Sequence, residues 1–257
     1  MPALKVAVWQ DRSPEGDAEA ALGRLRPALK AAGAMGATVL VAPEVYLPGY
    51  NQPGIPEAAL RRGGAVLTRV AEACREARCG LVLGYAERDE AGVHNSATAW
   101  DAEGQEVAHF RKLQLYGDRE RGLYAPGDRY AVFDLGGVRA AMLICYDVEF
   151  APHIAELAAR GVRLLLVPTA NMHPFVHVVR HTVPAMAANH GIAIAYANLC
   201  GTEGDLRYTG GSQVVGPHGE VLAQAGEHPA LLVAEIPDAD ASRLSTQAAD
   251  LRRIADA

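Results

Sequence analysis

Long apolar runs are missing from this 257-residue chain, and without about 18 consecutive apolar residues no membrane span is expected. Cysteine is scarce. The four present, Cys74, Cys79, Cys145 and Cys200, show neither zinc-ligand spacing nor the pattern of a secreted disulfide framework. A reducing, cytoplasmic setting fits them, and Met1–Gln10 leads directly into a strand pattern rather than a signal peptide. Basic clusters are absent too. The 24 Lys and Arg against 30 Asp and Glu give a net charge of −6, spread along the chain with no nucleic-acid-reading motif. No nucleic-acid partner is therefore expected, and Arg24–Arg26 and Arg61–Arg62 read as solvated helix faces. Neither a linker nor a low-complexity segment interrupts the chain, so residues 1–257 read as one domain.

Half of the residues are hydrophobic and 21% are charged, enough for a sizeable core. Strand-like and helix-like runs alternate. Leu4–Trp9 reads as a strand, Glu15–Ala32 as a helix stopped by Gly33, and Thr38–Ala42 as a second strand. Pro56–Arg78 reads as one helix and Leu81–Tyr85 as a third strand. This order predicts an α/β protein with helices covering sheets. Asn95–Trp100 and Gln105–Phe110 flank Asp101-Ala102-Glu103-Gly104, a hairpin turn, and a parallel pattern recurs at Gly211–Val215, Gly216–Gly219 and Glu220–Gln224. The repeat hints at two similar halves. Between them lie strands at Arg139–Ile144, Leu164–Pro168 and Ile192–Asn198, with helices at Ala151–Arg160 and His177–Ala188. Gly201–Tyr208 reads as a loop, and the tail after Pro237 as a short polar helix outside the domain.

The most informative local feature is Ala140–Asp147, where an apolar strand ends at Cys145 and Pro152 soon opens a helix. A nucleophile on such a turn projects into a cleft, with backbone N–H groups beyond it to bind an oxyanion; a buried, inert thiol is the plain alternative. Two further strand ends carry polar groups. Val39–Ala42 closes with Pro43-Glu44, and Gln105–Phe110 closes with Arg111-Lys112. Ligands of α/β folds gather at the carboxyl ends of strands, so the three side chains can converge on one cleft. A thiol needs a base beside it, which Glu44 can supply, while the Lys112 cation offsets repulsion between thiolate and carboxylate. His173, His177 and His181 recur every four residues, but no carboxylate accompanies them and pocket lining or surface polarity is expected. Cys200, Cys74 and Cys79 read as structural thiols.

Pro43-Glu44, Arg111-Lys112 and Cys145-Tyr146-Asp147 together resemble the nitrilase superfamily of carbon–nitrogen hydrolases. Pro48-Gly49-Tyr50, Lys112–Gly117, Glu120, Pro126-Gly127-Asp128, Pro168–Asn171 and Asn198 extend the resemblance over nearly the whole chain, with the amidase branch the best fit, particularly small-substrate aliphatic and stereoselective amino-acid amidases. The resemblance implies a four-layer αββα sandwich, assembly into a homodimer or higher homo-oligomer, and neither metal nor organic cofactor. It also implies a second glutamate at Glu120 that positions the substrate and orients the lysine, and an oxyanion donor in the Tyr146 N–H. Tyr116 and Asn171 are expected to line the substrate pocket. Two segments depart from the family pattern. Ala185-Met186-Ala187-Ala188-Asn189 lacks two usual charges, and Phe150-Ala151-Pro152 replaces a Phe-Pro-Glu.

The expected reaction is hydrolysis of a small carboxamide through a cysteine thioester, with loops Tyr46–Pro53, Tyr116–Tyr124 and Asn171–Val178 setting selectivity. A nitrile or an N-carbamoyl amine would use the same three residues. A binding protein on this fold, or a redox-sensing thiol at Cys145, are readings of other classes; the complete Glu–Lys–Cys set opposes the first, and the lack of a nearby resolving cysteine opposes the second.

Overall fold

Alternation within one strand sets the layering. In β1 (Lys5–Arg12), Val6 and Val8 point to one side of the sheet, Ala7 and Trp9 to the other, and all four are buried. Val6 and Val8 join Val39, Val41 and Val82 in facing a second sheet, whereas Ala7 and Trp9 pack among Leu22, Leu25 and Leu29 of the first helix. A strand buried on both faces belongs inside a sandwich whose outer layers are helices. The structure, a computed structural model, describes residues 4–252.

From β1 the chain runs through α1 (Ala18–Ala34) to β2 (Val39–Val41), then through α2 (Ile55–Ala58) and α3 (Ala65–Ala77) to β3 (Gly80–Arg88). These three strands are parallel, and β4 (Val93–Trp100) and β5 (Glu106–Arg111) extend the sheet antiparallel. After α4 (Gly117–Leu123), a hairpin of β6 (Val132–Leu135) and β7 (Val138–Met142) starts the second sheet. There β7, α5 (Ala151–Ala159), β8 (Leu164–Pro168), α6 (Val183–His190) and β9 (Ala193–Ala197) repeat the parallel βαβαβ pattern. Short strands β10 (Leu199–Cys200), β11 (Thr202–Glu203) and β12 (Leu206–Arg207) precede the antiparallel pair β13 (Gln213–Val215) and β14 (Val221–Gln224). Finally β15 (Ala230–Glu235) crosses back to pair with Lys5–Gln10 of β1, and α7 (Gln247–Asp250) is a single turn.

The first sheet therefore holds β1–β5 with β10 and β15, and the second runs β14-β13-β9-β8-β7-β6. Each half is a βαβαβ unit followed by an antiparallel hairpin, as the repeated turn pattern predicted. Gly104 and Gly219 take positive φ (73° and 83°) in the two equivalent turns. The result is the four-layer αββα sandwich.

Several expected boundaries move, for identifiable reasons. Gly33 does not stop α1, which Asp17 caps by accepting the Ala20 N–H at 2.9 Å and which runs to Ala34. Lacking a side chain, Gly33 instead lets the Ala77 carbonyl of α3 press against the helix. Pro56–Arg78 is two helices rather than one. Leu60 leaves the helical path to bond Ala86 and Arg88 of β3, and Gly63-Gly64 resists helix between them. His177–Ala188 opens with one wide turn, Val178–Thr182, because Pro184 offers no N–H for a regular first turn. The supposed loop Gly201–Tyr208 carries the β11–β12 hairpin, and the tail after Pro237 is irregular, with a turn at 241–243 in which the Arg243 N–H donates to the Asp240 carbonyl at 2.9 Å, before the single turn of α7; its last residues lie outside those described. No helix among the described residues is long and apolar enough to cross a membrane.

Candidate active site

Three strand ends meet between the sheets. Beyond β2, Glu44 lies on a turn whose N–H donates to the Thr169 carbonyl at 3.2 Å, just past the equivalent strand β8 of the other half. Val45 takes φ of 42°, an unusual conformation for a β-branched residue. The turn fits because Gly84 of β3 lies beneath it; a Cβ there would come within 2.5 Å of the Pro43 carbonyl and 2.7 Å of the Glu44 Cα. Lys112 follows β5, its segment fixed by the Lys112 N–H to the Asn95 carbonyl (2.8 Å) and by the Gly127 N–H to the Lys112 carbonyl (2.7 Å).

Lys112 is 1% exposed, and Glu44 and Glu120 are fully buried. The Lys112 Nζ donates to Glu44 Oε1 at 2.6 Å and to Glu120 Oε1 at 2.8 Å. Burial alone would lower the lysine pKa, but the two carboxylates outweigh it and hold the ammonium form well above the usual range. Glu44 moves up because burial penalises its charge more than Lys112 relieves it. Every oxygen of Glu120 is engaged: Oε1 also accepts the Tyr50 hydroxyl at 2.7 Å, and Oε2 accepts the Tyr116 N–H at 2.8 Å. Glu44 differs. Its Oε1 takes both Lys112 and the Asn95 amide (2.7 Å), while its buried Oε2 has no partner among the described residues.

Cys145 opens the turn that follows β7 at φ of 46°, the strained strand-to-turn geometry that presents a side chain. Asp147 locks this turn to the lysine segment. Its carboxylate accepts the N–H groups of Ile144 (3.1 Å), Leu113 (3.2 Å) and Gln114 (2.7 Å), and burial pushes it up to about 7 despite those donors. All four cysteines are free. Burial raises the Cys74 and Cys79 thiols to about 12 and Cys200 to about 11. Cys145 is also raised well above its usual value, first by burial and then by Glu44, with Lys112 and the Ala170 N–H pulling down. What sets it apart is partial exposure to a pocket with a carboxylate and an ammonium behind it.

That pocket is small, about 240 Å³, and largely aromatic: Tyr50, Tyr116, Tyr146 and Phe175 ring the thiol, with Asn171, Met172, Glu149 and His177. Tyr116 stands edge-on to Tyr146 and Phe175, at 5.3 and 5.8 Å between ring centroids.

The carbon–nitrogen hydrolase family profile matches residues 5–245. The chain belongs to this family. It is a hydrolase of carbon–nitrogen bonds. It is 36% identical over 234 residues, 90% of its length and 81% of the relative's, to a hydrolase encoded in the pqqF 5′ region of Pseudomonas protegens. An (R)-stereoselective amidase of a Pseudomonas species is 32% identical over 235 residues, covering 91% of this chain and 85% of that one. Among solved structures, an amidase from Nesterenkonia sp. superposes with a TM-score of 0.88 at 33% identity, over 97% of this chain and 94% of that chain. Mutants of the Nesterenkonia sp. AN1 amidase have been solved with acrylamide and with butyramide.

In this carbon–nitrogen hydrolase the sequence-predicted Glu44, Lys112, Glu120 and Cys145 lie together, and Tyr116, Tyr146 and Asn171 line the pocket. Asn171 contributes chiefly as a brace: its amide donates to the Phe175 carbonyl (3.1 Å), and its N–H to Asn198 Oδ1 (2.8 Å). Sequence reasoning passed over Asn95, which holds Glu44, although a polar residue inside the buried run of β4 was a signal. Gly84 and the bracing role of Asp147 were also missed. His177 reaches the pocket while His181 is exposed, and no group of three or more metal-ligating side chains forms among the described residues. The altered Phe150-Ala151-Pro152 segment still opens α5, with Pro152 in the first turn.

The close approach at Gly84 is directly testable. Gly84→Ala is expected to cost about 1–3 kcal/mol in denaturant unfolding and to lower kcat/KM by roughly a hundredfold through displacement of Glu44. Wild-type kinetics in that variant would contradict the packing described.

Proposed function

We propose that this hydrolase cleaves small carboxamides to the carboxylic acid and ammonia through a thioester on Cys145. The observation that carries the reading is the division of labour within Glu44. One oxygen is held by Lys112 and Asn95, and the other is buried without a partner among the described residues, available to take and return protons. Burial and then Glu44 disfavour the Cys145 thiolate, so attack by sulfur calls for a base at hand.

In the proposed sequence, the Cys145 S–H proton passes to Glu44 as sulfur bonds to the amide carbon. Lys112 and the Tyr146 N–H hold the oxyanion, and one such donor contributes roughly 3–4 kcal/mol in a preorganised site. Glu44 returns the proton to the nitrogen as the C–N bond breaks, leaving ammonia and the thioester. Water then attacks the thioester carbon while Glu44 takes its proton. Collapse releases the acid and restores the thiol. Glu120, with Lys112 on one oxygen and the Tyr116 N–H on the other, keeps the ammonium aimed. The small aromatic pocket and the amide complexes of the Nesterenkonia sp. AN1 amidase support a small primary amide over a nitrile or carbamoyl amine. A cytoplasmic homo-oligomer completes the proposal; the free thiols fit a reducing compartment, and self-association rests on the family resemblance.

Cys145→Ala is expected to retain the fold by circular dichroism and to release ammonia from butyramide more than about a thousandfold slower. An intact-protein mass increase by one acyl group should be trapped on the wild type and be missing from the variant. Substantial amidase activity in the variant would reject the scheme. The pH profile carries a second expectation. Because burial raises Glu44, its base form is lost on acidification above the 4.5 of an ordinary glutamate, so the acid limb of kcat/KM should lie above that value. Lys112, raised far above neutrality, adds no limb on the neutral side. An acid limb at or below 4.5 would contradict the assignment.

A further inference from the structure

We infer that Glu149 makes this site selective for amides that carry a protonated amine. The inference rests on the amide-hydrolase reading of the same pocket and names its substrate class. Glu149 ends the five-residue turn that begins with Cys145 and contributes to the wall of the same 240 Å³ pocket. It has neither a hydrogen bond nor an ion pair among the described residues, unlike Glu44, Glu120 and Asp147.

An unpaired carboxylate in a half-buried, aromatic wall is costly, and burial raises its pKa accordingly. A ligand cation seated there would relieve that cost by a charge-assisted hydrogen bond. Tyr116, Tyr146 and Phe175 line the same pocket, and aromatic rings favour an ammonium beside them through their quadrupoles. No lysine or arginine among the described residues lines the pocket. Lys112 is committed between two carboxylates behind the floor, and Arg119 donates to the carbonyls of Tyr50 and Gln52. His177, exposed at the rim against Phe175, is the one other lining group able to carry positive charge. With Glu44 and Glu120 against one ammonium, the buried centre is itself net negative before Glu149 is counted. His177 and Lys112 lie near enough to Glu149 to favour its charged form, but neither bonds it among the described residues. An anionic amide would meet three carboxylates against one committed ammonium, and a neutral one would leave Glu149 without a hydrogen bond.

The turn also fixes the reach. At about 2 Å of rise per residue, four residues separate the Cys145 and Glu149 backbones by about 8 Å. A glutamate side chain can lean back along that distance toward an amine one or two carbons from the reacting carbonyl.

The test compares isosteric pairs near neutral pH: alaninamide with isobutyramide, and β-alaninamide with butyramide, with the half-amide of succinic acid as the anionic member. The wild type is expected to favour at least one ammonium amide over its neutral isostere by about tenfold or more in kcat/KM, chiefly through KM, and to be slowest on the anion. In Glu149→Gln that ratio should fall toward one, whatever the absolute rates. Raised ionic strength should shrink the wild-type ratio without altering the order. Equal or reversed preference in the wild type overturns the inference, as does a ratio that survives Glu149→Gln. Hydrolysis that depends on Cys145 but ignores charge sinks this inference and leaves the proposed function standing. Failure on every amide sinks both.

Discussion

A single ammonium group held between two buried carboxylates organises this molecule's working end. Lys112, Glu44 and Glu120 are taken out of water almost completely, and desolvating three charges costs more than one ordinary ion pair returns. The arrangement persists because every charge but one oxygen is matched by a fixed donor: the Tyr50 hydroxyl, the Asn95 amide and the Tyr116 N–H. Such a network stabilises little. What it provides is position, since each member restricts the rotamers of the next and leaves Glu44 Oε2 without a partner among the described residues.

The fold explains how residues far apart in sequence reach this network. Two βαβαβ units packed face to face put the ends of β2 and β8 in contact, joined by the hydrogen bond from Glu44 N–H to the Thr169 carbonyl. Cys145 arrives from the first strand of the second unit and Lys112 from the last strand of the first unit's hairpin. Asp147 then ties those two arrivals together through three backbone donors. Strained φ angles at Val45 and Cys145 mark where the backbone bends to deliver its side chains. The surrounding packing holds them there, and Gly84 does so by what it omits.

Much of this was legible in the sequence for a physical reason. Apolar runs that stop abruptly at Glu44, Lys112 and Cys145 declare strand ends, and strand ends are where α/β folds assemble sites. Glu120 was legible only through family resemblance, because among Asp118, Arg119 and Arg121 its charge looks like solvated surface. Burial, which distinguishes it, is a tertiary property. Gly33 was misread since a glycine that admits a neighbouring helix and one that ends its own helix are identical in sequence. The split of Pro56–Arg78 depended on Leu60 finding backbone partners on β3, a contact that no local pattern encodes. Glu149 escaped notice for a related reason: its significance lies in the absence of a partner, visible only once its neighbours are placed.

Charge, sulfur and substrate carbonyl must share one geometry if this account holds, and a crystal structure of the Cys145→Ala variant soaked with butyramide measures that most directly. The account predicts the amide carbonyl oxygen within hydrogen-bond distance of both the Lys112 Nζ and the Tyr146 N–H, with the amide nitrogen near Glu44 Oε2. A butyramide whose carbonyl oxygen turns away from Lys112, or whose nitrogen lies remote from Glu44, would contradict it.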